Sequence, residues 1–447
     1  MEHSASIHES ACETRVIAEP EVLVVGGGAA GISAACAAAR AGARVLLIER
    51  YGFLGGTLTA VTLGGFCGTH AIIDDARLGR VIGGLYLELE ERLGKRNAIL
   101  PPRRHGKILG VPYESTSLKL VADEMTAAHG VAVMHHSYAV AVQTEGARVS
   151  AVIVENKGGR AAILPRVVID CSGDGDVAAR AGAGFDLGAA GETQYGSTMF
   201  RMGNVDTARA GKLSRADIRS VLEQAVQAGY PIPRVTTGVH LNPLEGVVHL
   251  NVTKLGDANG RPYNLADPDQ LSEAERAGRR QVFLYEEVFR KFIPGFEQAR
   301  VIDIGANVGI RETRLIHGER TLTEDAVRTC AKPVDGIACS SWPLENHSAG
   351  RATSWEFLPD ADYYGIPYGC LVVKGFDNLL VAGRNLSATH IAQASARVAG
   401  PCFAMGEAAG TAAAMCVQGG RPMRALVVRD LQARLETGGA ILAPKLA

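Results

Sequence analysis

The sequence predicts an α/β fold built around a Rossmann-like parallel sheet, and three observations carry that prediction. First, "VLVV" from Val22 to Val25 is a short β-branched apolar run cut off at once by "GGG", a composition that suits a buried strand and its breaker. Second, "AAGISAACAAARAG" is a run of small helix formers ending at Gly42, followed by a second apolar run, "ARVLLIE". Third, Gly26, Gly28 and Gly31 are spaced as Gly-x-Gly-x-x-Gly, and Glu49 closes the second run eighteen residues after Gly31. Strand, glycine turn, helix and strand within about thirty residues make a βαβ unit, whose crossover is almost always right-handed.

Each residue of that unit has a physical role in a dinucleotide site. Gly26 allows the tight turn, Gly28 lets the backbone approach a pyrophosphate, and Gly31 lets the helix lie close on the strand. Ala29 and Ala30 open the helix, so their unpaired amides meet the phosphates. Glu49 accepts hydrogen bonds from the adenosine ribose and disfavours a 2′-phosphate there, with Arg50 beside it. On these residues alone both FAD and NAD remain, and a glycine turn in some other α/β protein is the plain alternative. The uncharged run Val22–Ala39 is nearly long enough to span a bilayer, but Gly and Ala dominate it, so no membrane span is expected.

The rest of the composition narrows the function class. A chain of 447 residues has ample length for a large core, with 47% hydrophobic and 21% charged residues, ordinary for a globular protein. The formal net charge of -1 supplies no bulk field for polyanions, so no nucleic-acid partner is expected. Nine cysteines are scattered, with no Cys-x-x-Cys pair. That argues against a disulfide framework, a zinc site or any other metal centre, and it fits a cytoplasmic location. Residues 1–19 hold no apolar core segment and read as a loose tail rather than a secretory signal.

Further blocks carry a family resemblance. Gly55, Gly56 and Thr57 follow the acidic strand in "YGFLGGTLTAVTLGG"; "SLKLVADEMTAAHGVAVMHHSYAVAV" pairs a helix with a strand; "RVVIDCSGDGDVAARAGA" is a strand and turn; "DNLLVAGRNLSATHIAQASARVAGPCFAMGEAAGTAAAM" is a strand, loop and small-residue helix. Together with "GIRETRLIHGERTLTED" and "YYGIPYGCLV", these resemble the bacterial FAD-dependent oxidoreductases among the two-dinucleotide-binding-domain flavoproteins of glutathione-reductase-like fold, related to fumarate reductase flavoproteins. The resemblance spans most of Val22 to Gly420 and implies FAD as the cofactor. It implies that Gly55, Gly56 and Thr57 wrap the pyrophosphate and ribityl chain, and that backbone around Val140 contacts the adenine. Ser172, Gly173 and Asp174 match the family's strand-turn, where Cys171 and Ser172 replace its usual Ala-Thr pair. Gly383 and Arg384 end the flavin-facing strand, and the helix opening near Gly400 places Cys402 at the flavin. No histidine stands at Gly55–Thr57, the position of the fumarate-reductase-like attachment site, so covalent flavin linkage is unsupported.

The matching blocks imply an organisation. Residues 20–70, 113–190 and 371–420 form a discontinuous FAD-binding domain, 191–370 an inserted α+β substrate domain, and 71–112 a helical excursion beside the flavin. Within the insert, "TTGVHLNPLEGVVHLNVTKL" alternates like strands, and "DPDQLSEAERAGRRQVFLYEEVFRKFI" reads as an amphipathic helix with an Asp or Ser cap. No second Gly-x-Gly-x-x-Gly follows a strand, so no NAD(P)H domain of the chain's own is expected.

A flavin takes a hydride at N5, which leaves orientation, a proton acceptor and a charge clamp to the protein. Among twelve histidines, His390 is the first candidate base, because it lies between the flavin-facing strand and helix; His347 and His70 follow. Arg397 precedes that helix and is a candidate anchor for a substrate carboxylate. Arg201 projects from a strand of the insert, while Arg311 and Arg314 flank Glu312 and equally suit a salt-bridged surface. Cys402, at a helix N-terminus, is a candidate acid, base or redox group with a lowered pKa, and Cys67 is a second thiol near the flavin; a buried Cys is otherwise a small hydrophobe.

The reading is an FAD-dependent dehydrogenase or oxidase that moves a hydride between a small, carboxylated or hydroxylated metabolite and flavin. The electron acceptor is oxygen, a quinone or a carrier protein, and a homo-oligomer is compatible with the chain. A flavin-dependent C=C reductase of the fumarate-reductase type is the second reading, motivated by the arginines. An RNA-directed flavoprotein is the third, set back by the near-zero net charge.

Overall fold

A computed structural model describes residues 13–347 and 353–446. Its centre is a five-stranded, all-parallel sheet. Strands β1 (Val22–Val25), β2 (Val45–Ile48), β3 (Ala132–Met134) and β4 (Val167–Asp170) pair with one another and with Leu379–Val381. The spatial order is Leu379–Val381, β4, β1, β2, β3. All four residues of β1, β2 and β4 are buried, which is why these strands are continuous apolar runs rather than alternating ones. The register Val22–Val45 through Val25–Ile48 brings the C-terminal ends of β1 and β2 level, so the glycine turn and Glu49 emerge side by side. Helix α1 (Ala29–Arg40) returns from β1 to β2.

The stretch expected to be a loose tail is partly ordered, since Val16–Ala18 pairs in parallel with Gly159–Ile163 of a second sheet. The excursion 71–112 holds a helix, Leu85–Gly94, but also a hairpin, Arg103–His105 with Ile108–Pro112, that pairs with Gly65–Cys67.

Beyond β4 the chain builds an antiparallel sheet from β5 (Phe200–Gly203), β6 (His240–Leu241), β7 (Val248–Leu250) and β8 (Arg300–Ile304), in the order β6, β7, β5, β8. Helices α2 (Arg215–Gln227) and α3 (Pro268–Phe292) pack on it. The α3 cap is Asp267, which accepts from the Gln270 amide at 2.9 Å, and its buried face is Ala274, Gly278, Val282, Tyr285 and Phe289. Phe200, Met202, Val248 and Leu250 meet that face in a core separate from the one under the parallel sheet.

The chain then returns through Leu379–Val381, now β9, to helix α4 (His390–Ala396) and the long helix α5 (Ala399–Gly419). Helix α5 lies directly against α1. A Cβ at Gly406 would stand 2.1 Å from the Ala30 carbonyl oxygen, and one at Gly410 2.0 Å from that of Ala34. The small residues therefore set the interhelical distance, and the buried Glu407 adds a 2.5 Å ion pair to Arg40 of α1. Among the described residues no helix is long and apolar enough to cross a membrane.

Candidate active site

The ends of β1, β2, β4 and β9 open onto one cavity of about 1060 Å³, at the upper end of the range for small-molecule sites. Its wall at the parallel sheet is a glycine cradle. Gly26 has a φ of +97°, a conformation that leaves its carbonyl facing the first turn of α1. There Gly31 meets it so closely that a Cβ would lie 1.8 Å from the Gly26 oxygen. The Gly55 amide donates to the Gly27 carbonyl at 2.7 Å, which joins the two glycine turns. Gly28, the N-cap of α1, carries no side-chain cap, so the first amides of the helix are left for a ligand.

Most residues expected at the cofactor line this cavity: Gly26, Gly28, Ala29, Ala30, Glu49, Arg50, Gly55, Gly56, Thr57, Ser172, Gly173, Gly383, Arg384 and Cys402. Glu49 has an additional role that its position did not announce. Its two carboxylate oxygens accept from the Gly27 amide at 2.6 Å and the Tyr51 amide at 2.9 Å, so it ties the glycine turn to the strand end. Lone pairs remain on a carboxylate that accepts one bond at each oxygen.

Several expectations are corrected. Around Val140 the wall is reached through the neighbouring Ser137, Tyr138 and Ala139, while Val140 itself packs with Ala151 and Ile153. The two-residue alternation of the strand turns Val140 to the other face. Gly31 is a packing residue rather than a wall. Asp174 lies behind the wall, 3.0 Å from Arg384 and accepting from Thr313 at 2.8 Å. Burial alone would raise its pKa, but Arg384 and Arg50 outweigh burial and hold it below the usual carboxylate value. Asp174 thus positions Arg384, whose Nη1 is buried without a partner. The helix Leu85–Gly94 does not line the cavity; the hairpin Arg103–Pro112 does.

His390 is likewise absent from the cavity wall. It starts α4, and its Nδ1 is 2.7 Å from the fully buried Glu312, whose carboxylate also accepts from the Gln194 amide at 3.0 Å. The buried carboxylate captures the imidazole as a structural partner. Cys402 does line the wall, but burial pushes its thiol up to about 12, the reverse of the lowering expected at a helix N-terminus. Desolvation of a thiolate here outweighs the charges of Arg384 and Arg397, which act the other way. Cys67 is also pushed up to about 12 by burial. His70 is not on the wall. Arg201 pairs with Glu114 at 2.9 Å and with Asp303, and Arg314 with Asp176 at 3.1 Å.

The remaining wall is polar and comes from the antiparallel sheet and the segments around it. Arg397 and His347 are here as expected. His347 Nε2 is 2.9 Å from Glu345, and its Nδ1 is 3.1 Å from Thr353. Burial and the charge of Arg311 hold His347 well below its usual pKa. Burial alone would raise Glu345, yet the hydrogen bond to His347 and the charges of Arg397 and Arg311 bring it to about 2. Arg311 donates to the Tyr195 carbonyl at 2.6 Å, Ser197 at 2.8 Å and Asn251 at 3.2 Å, so the surface reading of that segment is replaced by a buried one. Arg215, Arg234, His240 and His249 also line this end. None of them was singled out from sequence. Yet "VHLN" occurs twice, at 239–242 and 248–251, and its two histidines pair across β6 and β7; that repeat was the available signal. The His249 Nε2 is buried without a partner, and burial followed by Arg201 lowers its pKa to about 3. Among the described residues no cluster of three or more His, Cys, Asp or Glu could hold a metal ion.

Residues 21–435 match the model of the family described as FAD dependent oxidoreductase. The chain belongs to that family. It is an FAD-dependent oxidoreductase, and the residues fit the cofactor: a glycine cradle that side chains would fill, the uncapped start of α1, and an unpartnered guanidinium nitrogen of Arg384. No curated protein matches the sequence. Among solved structures, a geranylgeranyl bacteriochlorophyll reductase-like protein from Thermoplasma acidophilum is 14% identical, with 94% of this chain and 84% of that chain covered and a TM-score of 0.49. The p-nitrophenol 4-monooxygenase of Pseudomonas putida is 14% identical over 93% of this chain and 84% of its own, with a TM-score of 0.47. Similarity at that level carries nothing about the reaction here.

Proposed function

We propose that this FAD-dependent oxidoreductase moves a hydride between flavin and a small organic molecule bound at the polar end of the cavity. The kinship with fumarate-reductase flavoproteins and the two-part division into cofactor and substrate regions belong to the same proposal. The observation that supports it is continuity. The wall that carries the glycine cradle and the uncapped start of α1 runs without a break into one carrying Arg397, His347 and His249.

When bound, FAD supplies a two-electron acceptor or donor for a C–H bond. The chain's own residues do the rest. The first amides of α1 would hold the diphosphate, and Arg384, set by Asp174, would meet the cofactor from the end of β9. Helix α5 starts with Val398 as its N-cap and without a side-chain cap, and Val398, Ala399 and Cys402 line the wall. The positive end of that helix is suited to stabilising negative charge opposite it. His249 lines the cavity and is neutral at working pH, and it replaces His390 as the residue proposed to exchange a proton with substrate. Arg397, 3.8 Å from Glu345 and hydrogen-bonded to Gln194 at 3.4 Å, orients the substrate.

The test is an anaerobic screen of pooled metabolites against the oxidised protein, followed by deuteration of any substrate found. A primary isotope effect on flavin bleaching is expected. Turnover with no bleaching phase and no isotope effect would overturn hydride transfer. The arginine-rich wall also favours the opposite direction, reduction of an acidic C=C bond, which predicts reoxidation of the reduced protein by such acceptors without oxygen.

A further inference from the structure

Four arginines converge on the polar end of the cavity, and one carboxylate on the same wall answers them, with the charge of Glu312 behind Arg397. Arg234 Nη1 donates to the Asn251 carbonyl at 3.3 Å, while Arg311 Nη2 donates to the Asn251 side chain at 3.2 Å, so a single residue of the antiparallel sheet bridges two guanidiniums. Arg397 and Arg215 complete the set on the same wall. The carboxylate is Glu345, already committed to His347 and 3.8 Å from Arg397.

The hydrogen bonds that fix these arginines do not neutralise them. Arg311 is held by Tyr195, Ser197 and Asn251, and Arg234 by Thr236, Asn251 and Thr353, all neutral acceptors. The Nε atoms of Arg397 and Arg215 are buried with no partner at all. Arg215 is moreover the first residue of α2, the positive end of a helix, where a cation is disfavoured. Burial lowers the pKa of all four, the direction in which a desolvated cation lacking counter-charge moves. A fold that fixes guanidiniums with neutral acceptors and leaves donors unused keeps them available for a ligand, because an uncompensated charge in such a place is otherwise costly. The diphosphate of FAD would be met at the other end of the cavity by the α1 amides.

We propose that this end of the cavity binds a small organic anion with at least two negative charges, as carboxylate or phosphate groups, against Arg215, Arg234, Arg311 and Arg397. The proposal rests on the reading of the polar end as the substrate site and names the substrate class. Planar guanidiniums favour planar, bidentate oxyanions over a point charge. The neutral His249 lines the same cavity.

The experiment titrates the full-length, FAD-loaded protein at fixed ionic strength with tricarballylate, glutarate, butyrate, pyrophosphate and glycerol, read by calorimetry and by the shift in Tm. Affinity is expected to rise about tenfold with each added charge, with glycerol silent, and to weaken with salt. Tight binding of pyrophosphate with weak binding of tricarballylate assigns the phosphate form, and the reverse assigns the carboxylate form. Arg215→Gln and Arg311→Gln are each expected to weaken the best anion about tenfold or more while the flavin band keeps its full intensity. Arg215 is less buried than Arg311, so its variant is the one expected to fold with less difficulty. The proposal is overturned if butyrate or glycerol binds as tightly as the polyanions, if no anion binds, or if both variants bind unchanged. The flavin band in the same samples keeps these outcomes separate from any loss of FAD, and anaerobic bleaching tests the hydride reading independently of anion affinity.

Discussion

Substituting Gly31 by Ala tests the cofactor cradle at its tightest point. The added Cβ would stand 1.8 Å from the Gly26 carbonyl oxygen, 2.9 Å from its carbon and 3.3 Å from the Cys171 Cβ. Relief to an ordinary contact needs a shift of ~1.5 Å, equal to the rise of one helical residue. Helix α1 has no room for that retreat. Beside it on the same sheet, α5 already approaches the Ala30 and Ala34 carbonyls through Gly406 and Gly410. Overpacking of this kind costs ~1–3 kcal/mol, and the clamped position of α1 puts Gly31→Ala at the upper end. The same shift carries the Ala29 and Ala30 amides away from the phosphates. We expect FAD affinity to fall by ~100-fold, the equivalent of ~3 kcal/mol, together with a lower melting temperature. Flavin fluorescence quenching on adding FAD to stripped protein measures the first, and thermal unfolding of the apo-protein the second. Gly94→Ala is the control: it ends the helix Leu85–Gly94 and its Cβ meets nothing within 4 Å, so it should leave FAD binding alone and add at most ~1 kcal/mol of stability. A Gly31→Ala protein that binds FAD within about twofold of the parent and melts with it would refute the close-approach argument.

Three further outcomes are expected. His249 has a pKa of about 3 in the native state against an ordinary 6.5, so below pH 6.5 the unfolded chain takes up a proton that the native chain refuses. Its contribution to stability is full above 6.5 and falls by up to ~1.4 kcal/mol per pH unit as the pH drops toward 3; urea unfolding at several acidic pH values should show a shallower loss for His249→Leu, and an identical slope would sink the idea. Cys402, with its thiol near 12, should resist iodoacetamide in the native protein at neutral pH, and Cys402→Ala should keep the parent's pH–rate profile; rapid labelling or a lost limb of that profile would count against an inert thiol. Glu407 holds Arg40 at 2.5 Å and the Leu85 amide at 3.0 Å, so Glu407→Ala should cost ~3 kcal/mol and Glu407→Gln less, since an amide oxygen still accepts from Leu85; equal denaturation midpoints for Glu407→Ala and the parent would show that the helix pair does not depend on this carboxylate.

The cofactor half of the molecule was legible because its chemistry is local. A glycine turn, the helix that follows and the acid at the next strand end lie within one contiguous segment, and the backbone geometry they require leaves its mark on residue type. The stretch around Val140 reaches the wall through Ser137, Tyr138 and Ala139 rather than Val140 itself, since a strand reverses face at every residue and nothing in "SYAVAV" states which face the sheet will cover. His390 and Cys402 failed for a different reason. Their sequence neighbours place them beside the flavin-facing helix, but only packing reveals that Glu312 claims the first and that desolvation silences the second.

By itself the sequence determined the α/β class, the βαβ unit at Val22–Ile48 and the residues of the glycine cradle. It also pointed to a dinucleotide, because phosphate recognition by helix amides is written in short-range spacing, while FAD rather than NAD followed from the resemblance of the later blocks. Tertiary structure alone decided the opposite wall. Arg215, Arg234, Arg311, Glu345 and Arg397 are far apart along the chain, and by itself only Arg397 stands out from an ordinary charge. They become a site only when the antiparallel sheet and its flanking segments close over one cavity, where loss of water makes their uncompensated charge matter.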